Sequence, residues 1–202
     1  MKKIIIALLA ALALGLSANA QMYDGITQPT KYRVWLMTNI PGDGGNANFT
    51  PFVGYRQDIA PWLNVTGWAQ YNFATQTFTP AVWLNFNIAN RFYILSRSIV
   101  DLKNGGNYRH GLAATLKIAA GFHMDCTWDN LLNHGKFADG DRLQVLAGWG
   151  GKKVVVNAGY SMRARPGFVC NVRYKLTDML WSQLKYDGGL NAYAFSLVYH
   201  WN

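Results

Sequence analysis

The sequence predicts an all-β chain that closes into an antiparallel transmembrane β-barrel. Apolar and polar residues alternate with a period of two along most of the chain, which is the pattern of β-strands. Turn-forming residues, chiefly Gly, Asn, Asp and Pro, separate the alternating segments. Charge is scarce on both faces of these segments. We therefore expect lipid against one face and a lumen against the other.

Composition supports this class. Aromatic residues make up 14% of the chain and charged residues only 14%, against about 25% charged in soluble domains. The formal net charge is +9, to which Lys2 and Lys3 contribute two, and every acidic residue is Asp. A basic excess favours an anionic partner or an anion-facing lumen. Because the chain is predicted to be exported, no nucleic-acid partner is expected.

The first 20 residues have the pattern of a secretory signal peptide. Two lysines precede an apolar run at 4–16, and Ala18-Asn19-Ala20 forms a small-x-small cleavage site. The remaining residues, 21–202, are predicted to form a single β-barrel domain. The apolar run is too short for a usual membrane-spanning helix, and no later run is long enough. If the protein sits in a membrane, strands must place it there.

In the segment 190–201, the two alternating rows of side chains differ clearly in size. Its small or mildly polar row runs from Ala192 to His200, and its other row is bulky. The bulky row consists of Tyr193, Phe195, Leu197, Tyr199 and Trp201. Large apolar side chains on one face and small ones on the other are typical of a transmembrane barrel wall. The alternative is the last strand of a soluble sandwich or a small ligand-binding barrel.

In this row the sequence resembles bacterial outer-membrane β-barrel proteins of the porin-like or small opacity-type kinds. Their final strand carries an aromatic row that ends in Phe or Trp and is read by the assembly machinery. Here Trp201 is followed by Asn202, so the aromatic residue is penultimate. The resemblance implies a Gram-negative outer membrane as location. It also implies outer-membrane lipid and the barrel assembly machinery as partners, with this row as the assembly signal.

The alternation divides the chain into twelve predicted strands. They cover residues 32–38, 49–57, 62–73, 78–88, 92–100, 108–119, 123–128, 143–149, 154–163, 168–176, 180–186 and 190–201. The third and fourth alternate most clearly; Pro80 would remove a ladder hydrogen bond from a central strand, so we expect it near the strand's outer end. The region 121–140 is the least regular, and a short helix near Asn130 competes with the strand 123–128. Barrels of this kind have an even strand number, which favours twelve and leaves ten as the alternative.

Connection lengths predict an orientation. Short turns at 55–58, 88–91 and 174–178 fall at alternate connections, as periplasmic turns do, whereas the connections at 39–48, 103–107 and 129–141 are longer. The longer connections would be extracellular. They are still short for this class, which argues against an elaborate adhesin or receptor surface.

Eight basic residues fall on the row opposite the apolar one and are predicted to line the lumen. They are Arg33, Arg56, Arg109, Lys117, Arg163, Arg173, Lys175 and Lys185. Placing Arg or Lys on the lipid face at mid-depth costs about 2 to 4 kcal/mol. We therefore predict a narrow passive pore whose basic lumen attracts small anionic solutes. Two alternatives remain: a structural or surface-binding barrel with a plugged lumen, and a soluble periplasmic barrel that binds a hydrophobic ligand.

Catalytic and metal-binding patterns are weak. The spacing of His110, His123, His134 and His200 brings no Ser-His-acid set together, so we do not expect an enzyme. A lipid- or peptide-acting barrel enzyme that uses His123 or His134 is the alternative. Without a dense His/Cys cluster, neither a metal nor another cofactor is expected.

The cysteines and tryptophans are predicted to be structural. Cys126 and Cys170 fall on the same outer face of non-neighbouring strands, so we expect them to remain unpaired. Six tryptophans are predicted to form an interfacial girdle or wall packing rather than a sugar-stacking platform. They are Trp62, Trp68, Trp83, Trp149, Trp181 and Trp201.

Overall fold

Twelve antiparallel strands form one closed sheet in the computed structural model, which describes residues 30–89, 91–102, 107–129, 142–162 and 165–202. The strands are β1 (Tyr32–Pro41), β2 (Asn48–Ala60), β3 (Leu63–Asn72), β4 (Thr77–Ile88), β5 (Phe92–Asp101), β6 (Asn107–Lys117), β7 (Phe122–Asp129), β8 (Arg142–Gly150), β9 (Val154–Met162), β10 (Gly167–Lys175), β11 (Leu180–Asp187) and β12 (Ala192–Trp201). The predicted all-β closed barrel of twelve strands is confirmed, and the alternative of ten strands is wrong.

Each strand pairs with its neighbours in sequence, and β1 pairs with β12 to close the barrel. The closing ladder runs from the pair Tyr32 and Trp201 to the pair Pro41 and Ala192. Closure leaves the sheet without an exposed edge. Because the strand number is even, β1 begins and β12 ends at the same end of the barrel, which we call the terminal end. The opposite end is called the far end.

In the described part of the irregular region, residues 121–129, the predicted strand is present as β7. The competing helix near Asn130 and the predicted signal peptide 1–20 lie outside the described residues. Within the described ranges, no helix is both long enough and apolar enough to cross a membrane.

Burial is inverted relative to a water-soluble domain. Among the described residues, 20 polar or charged side chains are buried against nine hydrophobic ones, and 33 large hydrophobic side chains are exposed. On β3, for example, Asn64 and Thr66 are 5% and 1% exposed, while Val65 between them lies on the opposite face. Polar residues therefore face inward and apolar residues face outward, which suits a wall between lipid and lumen.

Pro80 lies where the ladder tolerates it. It pairs with Ala69 of β3, but the ladder between β4 and β5 begins one residue later, at Ala81. No residue of β5 is therefore paired with Pro80, and its missing N–H donor leaves the β4–β5 ladder intact.

The two cysteines are free. Cys126 lies on β7 and Cys170 on β10, and these strands are not neighbours in the barrel. Each cysteine alternates with inward polar residues, such as Asp125 and Asn171, and so faces outward.

Candidate functional site: the barrel interior

The ladders show where the predicted basic residues lie. Arg33 is 1% exposed and pairs with buried His200, and residues paired across an antiparallel ladder share a face. Cross-strand pairing with inward residues places seven of the eight predicted residues on the inner row of their strands. The eighth, Arg163, lies outside the described residues. The seven are Arg33, Arg56, Arg109, Lys117, Arg173, Lys175 and Lys185.

Two further arginines, which the sequence reasoning missed, also lie on the inner row. Arg97 pairs with Trp83 and Gly111, and Arg142 pairs with Asp129. Arg97 was missed because both alternating rows of its strand consist mostly of apolar or small residues, so the sequence did not indicate which row faces the lumen. Arg142 was missed because it directly precedes the predicted strand 143–149. An extension of that strand by one residue would have revealed it.

Arg97, Asp129 and Arg142 form a three-residue ionic cluster near the far end, called here the arginine–aspartate cluster. Arg142 Nη2 lies 2.5 Å from Asp129 Oδ2 and its Nε donates to the same oxygen at 2.7 Å. Arg97 Nη2 donates to the other carboxylate oxygen. One carboxylate is thus shared by two guanidinium groups, and the cluster keeps a net positive charge.

A glycine makes this contact geometrically feasible. Arg97 lies on β5 and Asp129 on β7, with Gly111 of β6 between them. A Cβ atom on Gly111 would lie 2.7 Å from Asp129 Oδ1 and 2.8 Å from Arg97 Nε. The missing side chain opens the gap through which the two ions meet across β6.

The arginine–aspartate cluster stands where two interior cavities meet, since Arg97 and Arg142 line both of them. The cavity of about 250 Å³ is also lined by Gln70, Arg109 and Asp129. The cavity of about 180 Å³ extends toward the opposite wall, where residues such as Arg173 and Lys185 line it. A solute that moves between the cavities would therefore contact the cluster.

Solved structures similar to this barrel include porins and an outer membrane channel. Neither a family model nor a curated relative matches the chain. A structure of KdgM porin matches at 10% identity, covering 84% of this chain and 99% of that one, with a TM-score of 0.59. NanC porin matches at 6% identity, covering 85% and 99%, with a TM-score of 0.55. An outer membrane channel from Pseudomonas putida F1 matches at 10% identity, covering 91% and 100%, also at 0.55.

The fold is that of outer-membrane porins. The resemblance read from the sequence, to outer-membrane β-barrels of the porin-like kind, is thus confirmed at the level of the fold. At these identities the likeness concerns architecture.

A second polar network lies in the inner wall of the porin-like barrel and crosses β8. His123 Nε2 of β7 lies 2.5 Å from Asn157 Oδ1 of β9, and Asn157 Nδ2 donates to Asn171 Oδ1 at 3.1 Å. A Cβ atom on Gly148 of β8 would overlap both His123 and Asn157. Next to it, Thr115 Oγ1 donates to Asp125 Oδ1 at 2.7 Å. His123 is 1% exposed and Asn157 is 3% exposed, so the network is buried.

Two inner cations form ion pairs toward the terminal end. Arg56 Nη2 lies 2.7 Å from Asp58, and Lys175 Nζ lies 2.7 Å from Asp178 in the turn between β10 and β11. The hydrogen bond and positive charge of Lys175 hold the pKa of Asp178 below its ordinary value. These carboxylates partly neutralise the terminal end.

The tryptophans divide between the two faces of the barrel. Three tryptophans share an inner row with polar residues of the same strand: Trp68, Trp83 and Trp181. The other three do not lie on an inner row: Trp62, Trp149 and Trp201. Inward tryptophans anchor two apolar patches. One joins Trp83 to Tyr93, Leu95 and Ala113, and the other joins Trp181 and Trp35 to Val155 and Val198. Strand alternation places Trp68 on the row of Thr66 and Trp83 on the row of Asn85.

The histidines are dispersed over the barrel. His123 and His200 are buried on the inner face, while His110 lies on the outer face, where its Nδ1 is 3.4 Å from Ser98 Oγ. His134 lies outside the described residues. Among the residues that the structure describes, no group of three or more His, Cys, Asp or Glu side chains has the geometry to hold a metal ion.

Proposed function

We propose that the chain is a passive outer-membrane pore whose basic interior favours small anionic solutes. The charge of the inner rows supports this proposal: where the structure describes the side chains, nine cations face four carboxylates. The cations are Arg33, Arg56, Arg97, Arg109, Lys117, Arg142, Arg173, Lys175 and Lys185. The carboxylates are Asp58, Asp125, Asp129 and Asp187.

Electrostatics gives this excess a direct consequence. Charges of one sign inside a wall of low dielectric constant concentrate the field along the passage and raise the local concentration of counter-ions. Rings of Arg and Lys act in this way in anion-selective pores. Cations line both cavities, so an anion would have favourable contacts in each of them.

The outer surface supports residence in the outer membrane. Exposed large hydrophobic side chains dominate it, and lipid is the solvent that such a surface requires. All five residues of the bulky C-terminal row lie on the outward face of β12, opposite inward Ser196 and Val198. We propose that they act as the assembly signal; they are Tyr193, Phe195, Leu197, Tyr199 and Trp201.

A plugged structural barrel is the second candidate, and a specific observation favours it. Two tryptophan-anchored patches and the arginine–aspartate cluster project into the interior. Twelve strands lie between the barrels of about eight strands that side chains fill and those of about 16 that hold a water channel. A soluble carrier of a hydrophobic ligand is disfavoured, because the interior is polar and the exterior is apolar.

Conductance separates the pore from the plug. The chain would be refolded in detergent, checked for β-sheet content by circular dichroism, and inserted into a planar bilayer in symmetric KCl. Discrete conductance steps are the expected result. A folded, inserted barrel without steps would contradict the pore and support the plugged barrel.

A further inference from the structure

Three guanidinium groups and one carboxylate line the larger cavity near the far end. Arg97, Arg109 and Arg142 contribute the cations, Asp129 contributes the anion, and Gln70 adds a neutral amide. The formal charge of this lining is therefore +2. Such an excess attracts an anion of matching charge, because cations clustered in a cleft with walls of low dielectric constant concentrate the field and raise the local concentration of counter-ions.

We infer that this cavity binds a phosphate group carried by a small solute. This inference rests on the proposed function and specifies the class of anion that the pore handles. A phosphate monoester carries a charge of about −1.5 to −2 near neutral pH, which matches the lining, whereas a single carboxylate neutralises only half of it. Arg is also the side chain whose planar fork binds phosphate oxygens in pairs.

Asp129 has two effects on such a site. Its carboxylate holds Arg97 and Arg142 in fixed orientations through the contacts already described. It also competes with an incoming anion for the same guanidinium donors. The competition lowers the affinity, so a bound solute can leave again, which passage through a pore requires.

Because of its location in the barrel, phosphate bound in this cavity should have a measurable effect on the ion current. Arg97 and Arg142 also line the second cavity, so an anion held by them stands at the junction of the two cavities. Phosphate that binds there should slow the passage of chloride. Seven of the eight residues that line the cavity lie on inner rows, and only His110 lies on an outer row, so we expect its ligand to be a solute of the lumen and not a lipid headgroup.

Two measurements with inorganic phosphate test the inference. In planar bilayers, phosphate added to KCl should reduce the chloride current in a saturable manner, while acetate at the same concentration should have little effect. In lipid-free detergent, titration calorimetry should detect binding of phosphate to the intact refolded chain. Equal block by acetate, or normal chloride current without any phosphate effect, would overturn the inference and leave the pore standing. If chloride steps are absent, the pore fails, and calorimetry still decides the phosphate site.

Variants locate the binding. Arg109→Gln and Arg142→Gln should each weaken phosphate binding about tenfold, as expected for the loss of one charged hydrogen bond. Asp129→Asn should strengthen binding, because it removes the competing acceptor. Arg165→Gln is the matched control, since it removes the same charge from an exposed position in the connection between β9 and β10. An Arg165→Gln loss as large as that of Arg109→Gln would show that only general surface charge matters and would overturn the site.

Discussion

Two polar clusters in the barrel, the arginine–aspartate cluster and the network around His123, are both built around a glycine, but they differ in solvent exposure. In each, a glycine on one strand lets side chains of the two flanking strands meet: Gly111 separates Arg97 from Asp129, and Gly148 separates His123 from Asn157. The His123 side chain is 0% exposed, whereas the side chains of Arg97 and Asp129 are 18% and 22% exposed.

Because of this difference in exposure, we expect the buried cluster to stabilise the fold and the part-exposed cluster to contact solutes. A buried hydrogen-bonded network loses free energy of folding when one partner is removed, because the remaining polar group has no water to replace it. A part-exposed ion pair contributes only about 0 to 1 kcal/mol. We therefore expect changes near Gly148 to affect unfolding, and changes near Gly111 to affect ion flow.

The largest effect is expected for Gly148→Ala. The new methyl group would overlap His123 and Asn157, and overpacking of this kind costs about 1 to 3 kcal/mol. Urea unfolding in lipid vesicles, followed by tryptophan fluorescence, measures the change. Gly67→Ala is the matched control, because a Cβ atom at this outward glycine meets nothing within 4 Å. An equal loss of unfolding free energy in both variants would contradict the claim that Gly148 leaves the space in which His123 and Asn157 meet.

His123→Ala should have the next largest effect. It removes the partner of Asn157 Oδ1 inside the wall, and an unsatisfied buried polar group costs about 1 to 3 kcal/mol. The same urea experiment applies. Full stability of this variant would show that the network contributes nothing to folding.

Gly111→Ala should destabilise the barrel less than Gly148→Ala. The new Cβ atom would press on Asp129 Oδ1 and on Nε and Cγ of Arg97, and these part-exposed side chains can move into the adjoining cavity. The expected loss of unfolding free energy is below about 1 kcal/mol, the upper value for a part-exposed ion pair. Should the urea midpoint fall as far as in Gly148→Ala, the contrast between the two clusters would be lost.

The smallest effect is expected for Asp178→Asn at the exposed turn. Lys175 lowers the pKa of Asp178 from 3.8 in the folded barrel, so the charged form contributes stability above that value. This contribution is lost as the pH falls through the folded pKa. The variant and the native chain should therefore differ slightly in urea midpoint at pH 7 and converge in acid. A difference that grows in acid would contradict the sign of this coupling.

Strand positions and inner rows could be predicted because one alternation encodes both. Every predicted strand, including the irregular 123–128, overlaps an observed one. The arginine–aspartate cluster could not be predicted, since Arg97 and Asp129 lie 32 residues apart and meet only through the register of β6 and its glycine. The inward direction of Trp83 follows from the alternation itself, because Trp83 shares its row with buried Thr79 and Asn85.

The zero-current potential of the inserted barrel across a KCl gradient tests the central claim most directly. If the inner cations control the passage, chloride carries more current than potassium, and the potential has the sign of an anion-selective pore. In Arg97→Gln and Arg142→Gln it should move toward zero. A cation-selective potential in the native chain would contradict the account.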